Sequence, residues 1–203
     1  TYAPLMVTAF LAGTATKVST YVLLRFYFGV FDPSELFGRL HTREVFIVLS
    51  GAAMVIASLA AVYEQDVKRL FAWSSVAQIG YITLGIGLAN EAGLTGSIVH
   101  MLNHGITKAA IFVLIGGLAL RSVGAPVTMA SLAGLGRRMP LTAFCMVIAG
   151  LSLVGVPGTA GFISKWYLLT GALDRGLWWL AGLIVVTSLI AVAYVWRVVE
   201  AAY

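Results

Sequence analysis

Charge is what this sequence has least of. Only 10% of its 203 residues are Asp, Glu, Lys or Arg, and 60% are hydrophobic. Soluble domains carry about 25% charged residues, so the composition excludes a water-facing globular surface and fits a polytopic membrane protein. The scarcest charges are acidic. The eight acids are Asp32, Glu35, Glu44, Glu64, Asp66, Glu91, Asp174 and Glu200, and all fall in connections or at span ends. Cysteine is nearly absent: Cys145 stands alone in an apolar run, which excludes an intrachain disulfide. There is no CxxC cluster, haem-ligand motif or dinucleotide fingerprint, so no cofactor is expected in this chain. The net charge of +5 is scattered, with no basic run longer than Arg137-Arg138, which excludes nucleic acid as a partner. A basic leader with a cleavage site is missing as well. The chain enters an apolar span almost at Thr1 and reads as a piece of something longer.

What is present is a small set of misplaced cations. Residues 94–120 are long enough to cross a bilayer as a helix, which takes roughly 20 apolar residues. Yet they contain His100, His104 and Lys108, which a helix places on one face. At about 1.5 Å per residue the three span about 12 Å along the axis. Asn103 and Thr107 lie beside that stripe. Lys17 and Lys165 also lie inside apolar spans with no acid in the same span. Ionisable groups at membrane depth are costly and mark relays or cavities. Desolvation disfavours the ammonium form, so a buried lysine can exchange a proton near neutral pH. An unperturbed histidine titrates near about 6.5 and can bridge lysines through water. A lateral proton relay through Lys17, Lys68, His100, His104, Lys108 and Lys165 is therefore expected. Metal binding is not, because the His100/His104 pair lacks a third ligand and Lys108 would repel an ion.

Taken in order, the first span covers 4–30. Pro4 suits a first helical turn. The small and polar run Gly13-Thr14-Ala15-Thr16 before Lys17 predicts a broken helix at mid-depth, and Arg25 snorkels near the far end. Residues 32–43 form a polar connection that turns at Asp32-Pro33 and carries a solvated His41. A charge-free span follows over 45–63, with small residues suited to close packing. Asp66 is the expected N-cap of a span over 67–89. Lys68 and Arg69 in its first turn oppose the helix dipole, so something else must hold them. Residues 121–139 are a connection with a short interfacial helix, Leu132, Leu135 and Met139 on one side and Arg137 and Arg138 on the other. Residues 140–173 are apolar but interrupted at Gly155, Pro157, Gly158 and Gly161, which predicts non-helical backbone ahead of Lys165. Trp178 and Trp179 mark an interface, and the last span runs to about Val199. The whole reads as one membrane domain over 1–203, an all-α polytopic transmembrane bundle of 6–7 spans with discontinuous helices. Six basic residues on one side against four on the other slightly favour the side of Lys68 and Arg137 as cytoplasmic.

One internal echo stands out. Ala12-Gly13-x-x-Thr16-Lys17 matches Ala160-Gly161-x-x-Ser164-Lys165. Breaks at corresponding places in two halves point to a transporter site, and the two lysines read as symmetry mates.

These residues resemble a known family. Ala15-Thr16-Lys17-Val18, Asp66-Val67-Lys68-Arg69-Leu70 with Ser74-Ser75, His100 to Lys108, and Gly155-Val156-Pro157-Gly158 followed by Gly161-Phe162-x-Ser164-Lys165 are similar to the antiporter-like membrane subunits. That family includes membrane subunits of the Mrp-type monovalent cation/proton antiporter and the proton-pumping membrane subunits of respiratory complex I and related hydrogenases. The resemblance covers essentially the whole chain. It implies two inverted repeats, each with a discontinuous helix and a buried lysine. It identifies Lys17 with the lysine of the first discontinuous helix, Lys108 with a central-axis lysine and Lys165 with the lysine of the second discontinuous helix. It identifies His100, His104 and Lys68 with relay positions. The family's N-terminal repeat, with a glutamate paired to the first lysine, would precede Thr1. The expected function is proton translocation as a subunit of a multisubunit Na+/proton antiporter. The phrases Tyr81-Ile82-Thr83-Leu84-Gly85 and Trp196 to Tyr203 look closer to the Mrp-type antiporter. The alternatives are a complex I-type NADH-quinone oxidoreductase subunit, whose redox chemistry sits in partner chains, and a structural subunit without transport. The expected partners are other membrane subunits of such an assembly, protons, Na+ and the lipid bilayer, in a bacterial inner membrane.

Overall fold

Long apolar runs become long helices here. The structure is a computed structural model that describes residues 5–31, 35–121 and 127–203. Pro4, the Asp32-Pro33 turn and residues 122–126 of the long connection lie outside the described residues. Helix α1 spans Leu5–Arg25 and continues as a π-helical turn over Phe26–Val30. α2 spans Thr42–Tyr63, α3 Val67–Leu88 and α4 Glu91–Arg121. After the short α5, Leu135–Arg138, come α6, Pro140–Val154, α7, Ala160–Asp174, and α8, Trp178–Ala202. No strand occurs among the described residues. Five helices, α1 to α4 and α8, are long and apolar enough to cross a membrane. α6 and α7 have 15 residues each, about 22 Å at the helical rise against a core of about 30 Å. Each is therefore short of a full crossing by itself.

Local signals set the ends. Asp66 caps α3 by accepting the Arg69 backbone N–H at 2.9 Å, and Glu64 pairs with the Arg69 guanidinium at 3.2 Å. That pair is what offsets the unfavourable first-turn charge of Arg69. The connection before α6 is pinned to the α3 start, where Val67 N–H donates to Val127 O at 2.9 Å. Leu132 and Leu135 are buried and Arg137 and Arg138 exposed, so this short piece is amphipathic as its sequence suggests. His41 is exposed and lies 3.8 Å from Glu44.

α4 is the centre of the bundle and packs on α1, α3, α6 and α7, while α8 closes against α2, α6 and α7. The contacts run through small residues. A Cβ on Gly96 would stand 2.9 Å from the Leu168 backbone N, and one on Gly171 2.7 Å from that of Gly93. Two apolar clusters result. One surrounds Phe71, Ile111, Ile115 and Tyr194, and the other Met54, Leu84, Leu168 and Ile184.

The two expected breaks part company. Residues 155–159 are non-helical, with Gly155 at φ 85° and Gly158 at φ 90°. These are left-handed conformations that glycine adopts without Cβ strain. α1, by contrast, runs unbroken through Gly13–Thr16, so the expected discontinuity there is corrected. The physical reason is local. No proline lies in Leu5–Arg25, so every backbone N–H there can join the helix, and the Thr14 and Thr20 hydroxyls bond back to Phe10 O at 2.6 Å and Thr16 O at 2.8 Å without breaking it. Gly13 serves contact instead of a bend, since a Cβ there would lie 3.1 Å from Ala109 Cβ on α4.

A stability comparison checks this assignment. A Cβ at Gly161 would overlap the Ser152 carbonyl, a backbone atom that cannot yield. Gly161→Ala is expected to destabilise by about 1–3 kcal/mol or more, the usual overpacking cost. Gly13→Ala meets only a methyl group and is expected to cost under about 1 kcal/mol. Thermal unfolding of the two variants in lipid measures both, and equal losses would contradict the assigned contacts.

Candidate functional site

The stripe expected on the fourth helix is real and faces inward. His100, His104 and Lys108 are 3%, 2% and 0% exposed. Lys17 comes in from α1 and Lys165 from α7, both buried. The structure therefore brings five of the six expected relay residues onto or beside α4. Lys68 is not among them. It is half-buried in the first turn of α3 and makes no hydrogen bond to the other five among the described residues.

Each buried amine is met by neutral oxygen. Lys108 Nζ donates to Phe71 O at 2.7 Å and to Ser74 Oγ, and it sits 5.2 Å from the Phe71 ring centroid. Lys165 Nζ donates to Leu153 O at 3.1 Å, Val154 O at 2.9 Å and Ser188 Oγ at 3.0 Å. It also stands 4.4 Å from the Tyr81 ring centroid, a cation–π distance. Leu153 and Val154 are the last residues of α6. Their carbonyls lack the usual intrahelical partners because the helix ends there, and a cation at a helix C-terminus also meets the negative end of the dipole. The break at 155–159 is thus what prepares the seat of Lys165. Lys17 Nζ donates to Ala12 O of its own helix, and its chain lines a groove of about 460 Å³ between α1 and α4. Lys165 lines a second groove of about 330 Å³ between α7 and α8. No carboxylate pairs with any of these lysines among the described residues.

The histidines differ from each other. His100 Nε2 lies 2.8 Å from Gln78 Oε1, and its Nδ1 lies 2.8 Å from Ser164 Oγ. The His104 ring stacks on that of His100 at 6.2 Å, yet both His104 nitrogens are buried without a hydrogen-bond partner among the described residues. Asn103 Nδ2 donates to Ala160 O at 2.7 Å, which ties α4 to the first residue of α7. Behind Lys165, Tyr81 OH lies 2.7 Å from Thr187 Oγ1 and 3.3 Å from Ser188 Oγ.

Three contributors escaped the sequence reading: Gln78, Tyr81 and Ser188. For the first two a signal was available. Ser74, Gln78 and Tyr81 recur at i, i+4 and i+7 in an apolar span, the spacing of one helix face. These three residues therefore form a polar stripe on α3 in which Ser74 meets Lys108, Gln78 meets His100 and the Tyr81 ring meets Lys165.

Known proteins match this chain in sequence and fold. The profile of the NADH:quinone oxidoreductase/Mrp antiporter transmembrane family matches residues 1–191. NADH-quinone oxidoreductase subunit N of Desulforudis audaxviator is 38% identical over 203 residues, which is 100% of this chain and 40% of that relative. The solved Mrp complex from Dietzia contains a chain with 35% identity and a TM-score of 0.86, covering 94% of this chain and 34% of that one. The membrane-bound sulfane sulfur reductase, an archaeal respiratory membrane complex, matches at 30% identity and a TM-score of 0.86, over 98% of this chain and 40% of the other. The chain thus spans about two fifths of the length of the curated relative. With a family match over nearly all its residues and helices built to cross a bilayer, this chain is an integral, multi-pass membrane protein of the NADH:quinone oxidoreductase/Mrp antiporter family.

Proposed function

We propose that this chain carries protons laterally at mid-membrane through Lys17, His104, Lys108, His100 and Lys165. The observation that carries the reading is Lys108. It is 0% exposed, without a carboxylate partner among the described residues, and held by a carbonyl and a hydroxyl. A purely structural ammonium at the bilayer centre costs about 2.5–3.5 kcal/mol on insertion scales, and a carboxylate is the usual compensation. Neutral oxygens suit both protonation states. The ammonium donates to Phe71 O and Ser74, while the free amine can accept from the Ser74 hydroxyl. His104 is buried on the same face of α4, between His100 and Lys108, and both its ring nitrogens are without a hydrogen-bond partner among the described residues, so it is the group we assign to pass a proton along this face. A non-transporting structural role would leave these features without a reason.

The parent assembly is a separate question. The curated relative that matches over the whole chain is named NADH-quinone oxidoreductase subunit N. This favours a redox-driven proton-translocating parent in a bacterial inner membrane, with the redox centres in partner subunits. The sequence phrases at 81–85 and 196–203 point instead to the antiporter. The second reading, a subunit of an Mrp-type Na+/proton antiporter, rests on the 35% identity and 0.86 TM-score to the Mrp complex. Purification of the native assembly separates them. Iron–sulfur and quinone-site subunits support the first, and small antiporter subunits support the second.

Two experiments test the relay itself, both read as proton uptake by vesicles containing the assembled complex, with assembly checked in parallel. Lys108→Met is expected to assemble and abolish uptake. Lys108→Arg is expected to fail as well, because a guanidinium does not release its proton in an accessible pH range. Wild-type uptake by the arginine variant refutes the relay. The second experiment targets the break. A Cβ at Gly155 forces a left-handed φ on a residue that resists it and lies 2.9 Å from Lys165 Cδ. Gly155→Ala is expected to cost about 1–3 kcal/mol and to slow uptake even where the complex assembles. Unchanged uptake would separate the break from the function of Lys165.

A further inference from the structure

Hydrogen-bond accounting around His100 singles out a residue with no assigned role. Gln78 lies on α3 and is 1% exposed. Its Oε1 is 2.8 Å from His100 Nε2, and its Nε2 points at Leu153 O, 3.4 Å away. The amide cannot be reversed. Turning it would set its oxygen against the Leu153 carbonyl, two acceptors facing each other. The carbonyl of Leu153 belongs to the last turn of α6, which is free to accept because the helix stops at Gly155. It is also bound by Lys165 Nζ at 3.1 Å. The break at 155–159 therefore fixes the Gln78 amide, and the fixed amide presents a pure acceptor to His100.

We propose that Gln78 is a positioning residue that locks His100 in its Nε2–H tautomer, so that the exchangeable proton of His100 is always at Nδ1, facing Ser164. This rests on the reading of His100 as a relay group. The geometry at Nδ1 completes it. Ser164 Oγ has two acceptors in reach, His100 Nδ1 at 2.8 Å and Gly161 O at 3.0 Å. When His100 is neutral, the serine O–H donates to Nδ1. When His100 is charged, Nδ1–H donates to Ser164 Oγ and the serine O–H turns to Gly161 O. Every donor then has an acceptor in both states, and no heavy atom has to move. In the loading step a protonated amine or a hydronium gives one proton to Ser164 Oγ as the serine's own proton passes to Nδ1. The imidazole becomes imidazolium, the donor loses one positive charge, and Nε2–H stays on Gln78. Protonation of α4 is thereby registered at the Gly161 carbonyl in the first turn of α7, four residues ahead of Lys165. The titratable groups facing His100 are Lys17 from α1, Tyr81 from α3, His104 from α4 and Lys165 from α7.

The test is nitrogen NMR of the assembled complex labelled with 15N-histidine, using His100→Gln to identify the His100 signals. In the wild type, Nδ1 is expected to resonate as a bare nitrogen and Nε2 as an N–H when the ring is neutral. Gln78→Leu is expected to lose that preference. Proton uptake is expected to fall about tenfold in Gln78→Leu. An Nδ1–H tautomer in the wild type overturns the proposal, as does an unchanged tautomer in Gln78→Leu. If the leucine variant does not assemble, the wild-type spectrum still decides, since Nδ1–H on its neutral ring overturns the proposal. The uptake of Lys108→Met judges the relay reading separately from the NMR result.

Discussion

Everything in this bundle depends on solvating amines in a place that has no carboxylates. A lysine inside an apolar bundle must find oxygen, and among the described residues the acids all lie at helix ends or in connections. The chain solves this with its own backbone. An intact helix has few carbonyls to offer, because each accepts from the residue four positions on. A helix that stops in the membrane interior offers several. α6 ends at Val154, and Lys165 takes the carbonyls of Leu153 and Val154. The glycines at 155 and 158 are the conformational means, the free carbonyls are the result, and the lysine is their occupant.

Lys108 uses another device. Phe71 O lies within the intact α3, yet it accepts from Ser74 Oγ at 3.0 Å, Ser75 Oγ at 2.9 Å and Lys108 Nζ at 2.7 Å. The two serines that crowd this carbonyl also give α3 a polar patch without formal charge. Close approach makes the contact possible. Gly85 on α3 meets the α4 backbone so tightly that an added Cβ would lie 2.5 Å from Gly93 O. The small residues of α4 thus bring the histidine and lysine stripe within reach of short serine side chains on α3.

The architecture was largely legible in the sequence, and so was the stripe. Apolar length gave the helices, the i, i+4, i+8 spacing gave the inward face of α4, and the Gly-Pro-Gly cluster gave the discontinuity before Lys165. One feature was misread, because sequence position does not reveal what lies opposite. Gly13 looked like a hinge because small residues permit one, but Ala109 across the interface gives it a packing role. Lys68 stands in the first turn of α3, apart from the residues whose carbonyl and side chains meet Lys108 and His100. The neutral partners Gln78, Tyr81 and Ser188 were missed because attention went to charge. For the first two the signal was polar periodicity within α3, which is faint beside a lysine.

The repeated Ala-Gly-x-x-(Thr/Ser)-Lys hexapeptide then acquires a sharper meaning. Its two copies share a buried lysine that reaches back to a carbonyl, but not a backbone break. What differs is the sequence ahead of each copy. Thr8-Ala9-Phe10-Leu11 continues a helix, whereas Gly155-Val156-Pro157-Gly158 cannot. The consequence is a difference in tether. Lys165 is held by two carbonyls, a hydroxyl and an aromatic face. Lys17 is held by one carbonyl and lies along a groove of about 460 Å³. An amine with fewer fixed partners has less to give up when it turns, so of the two Lys17 has the greater freedom to move. The hexapeptide buries a lysine in both places, and the residues in front of it decide how many fixed partners that lysine has.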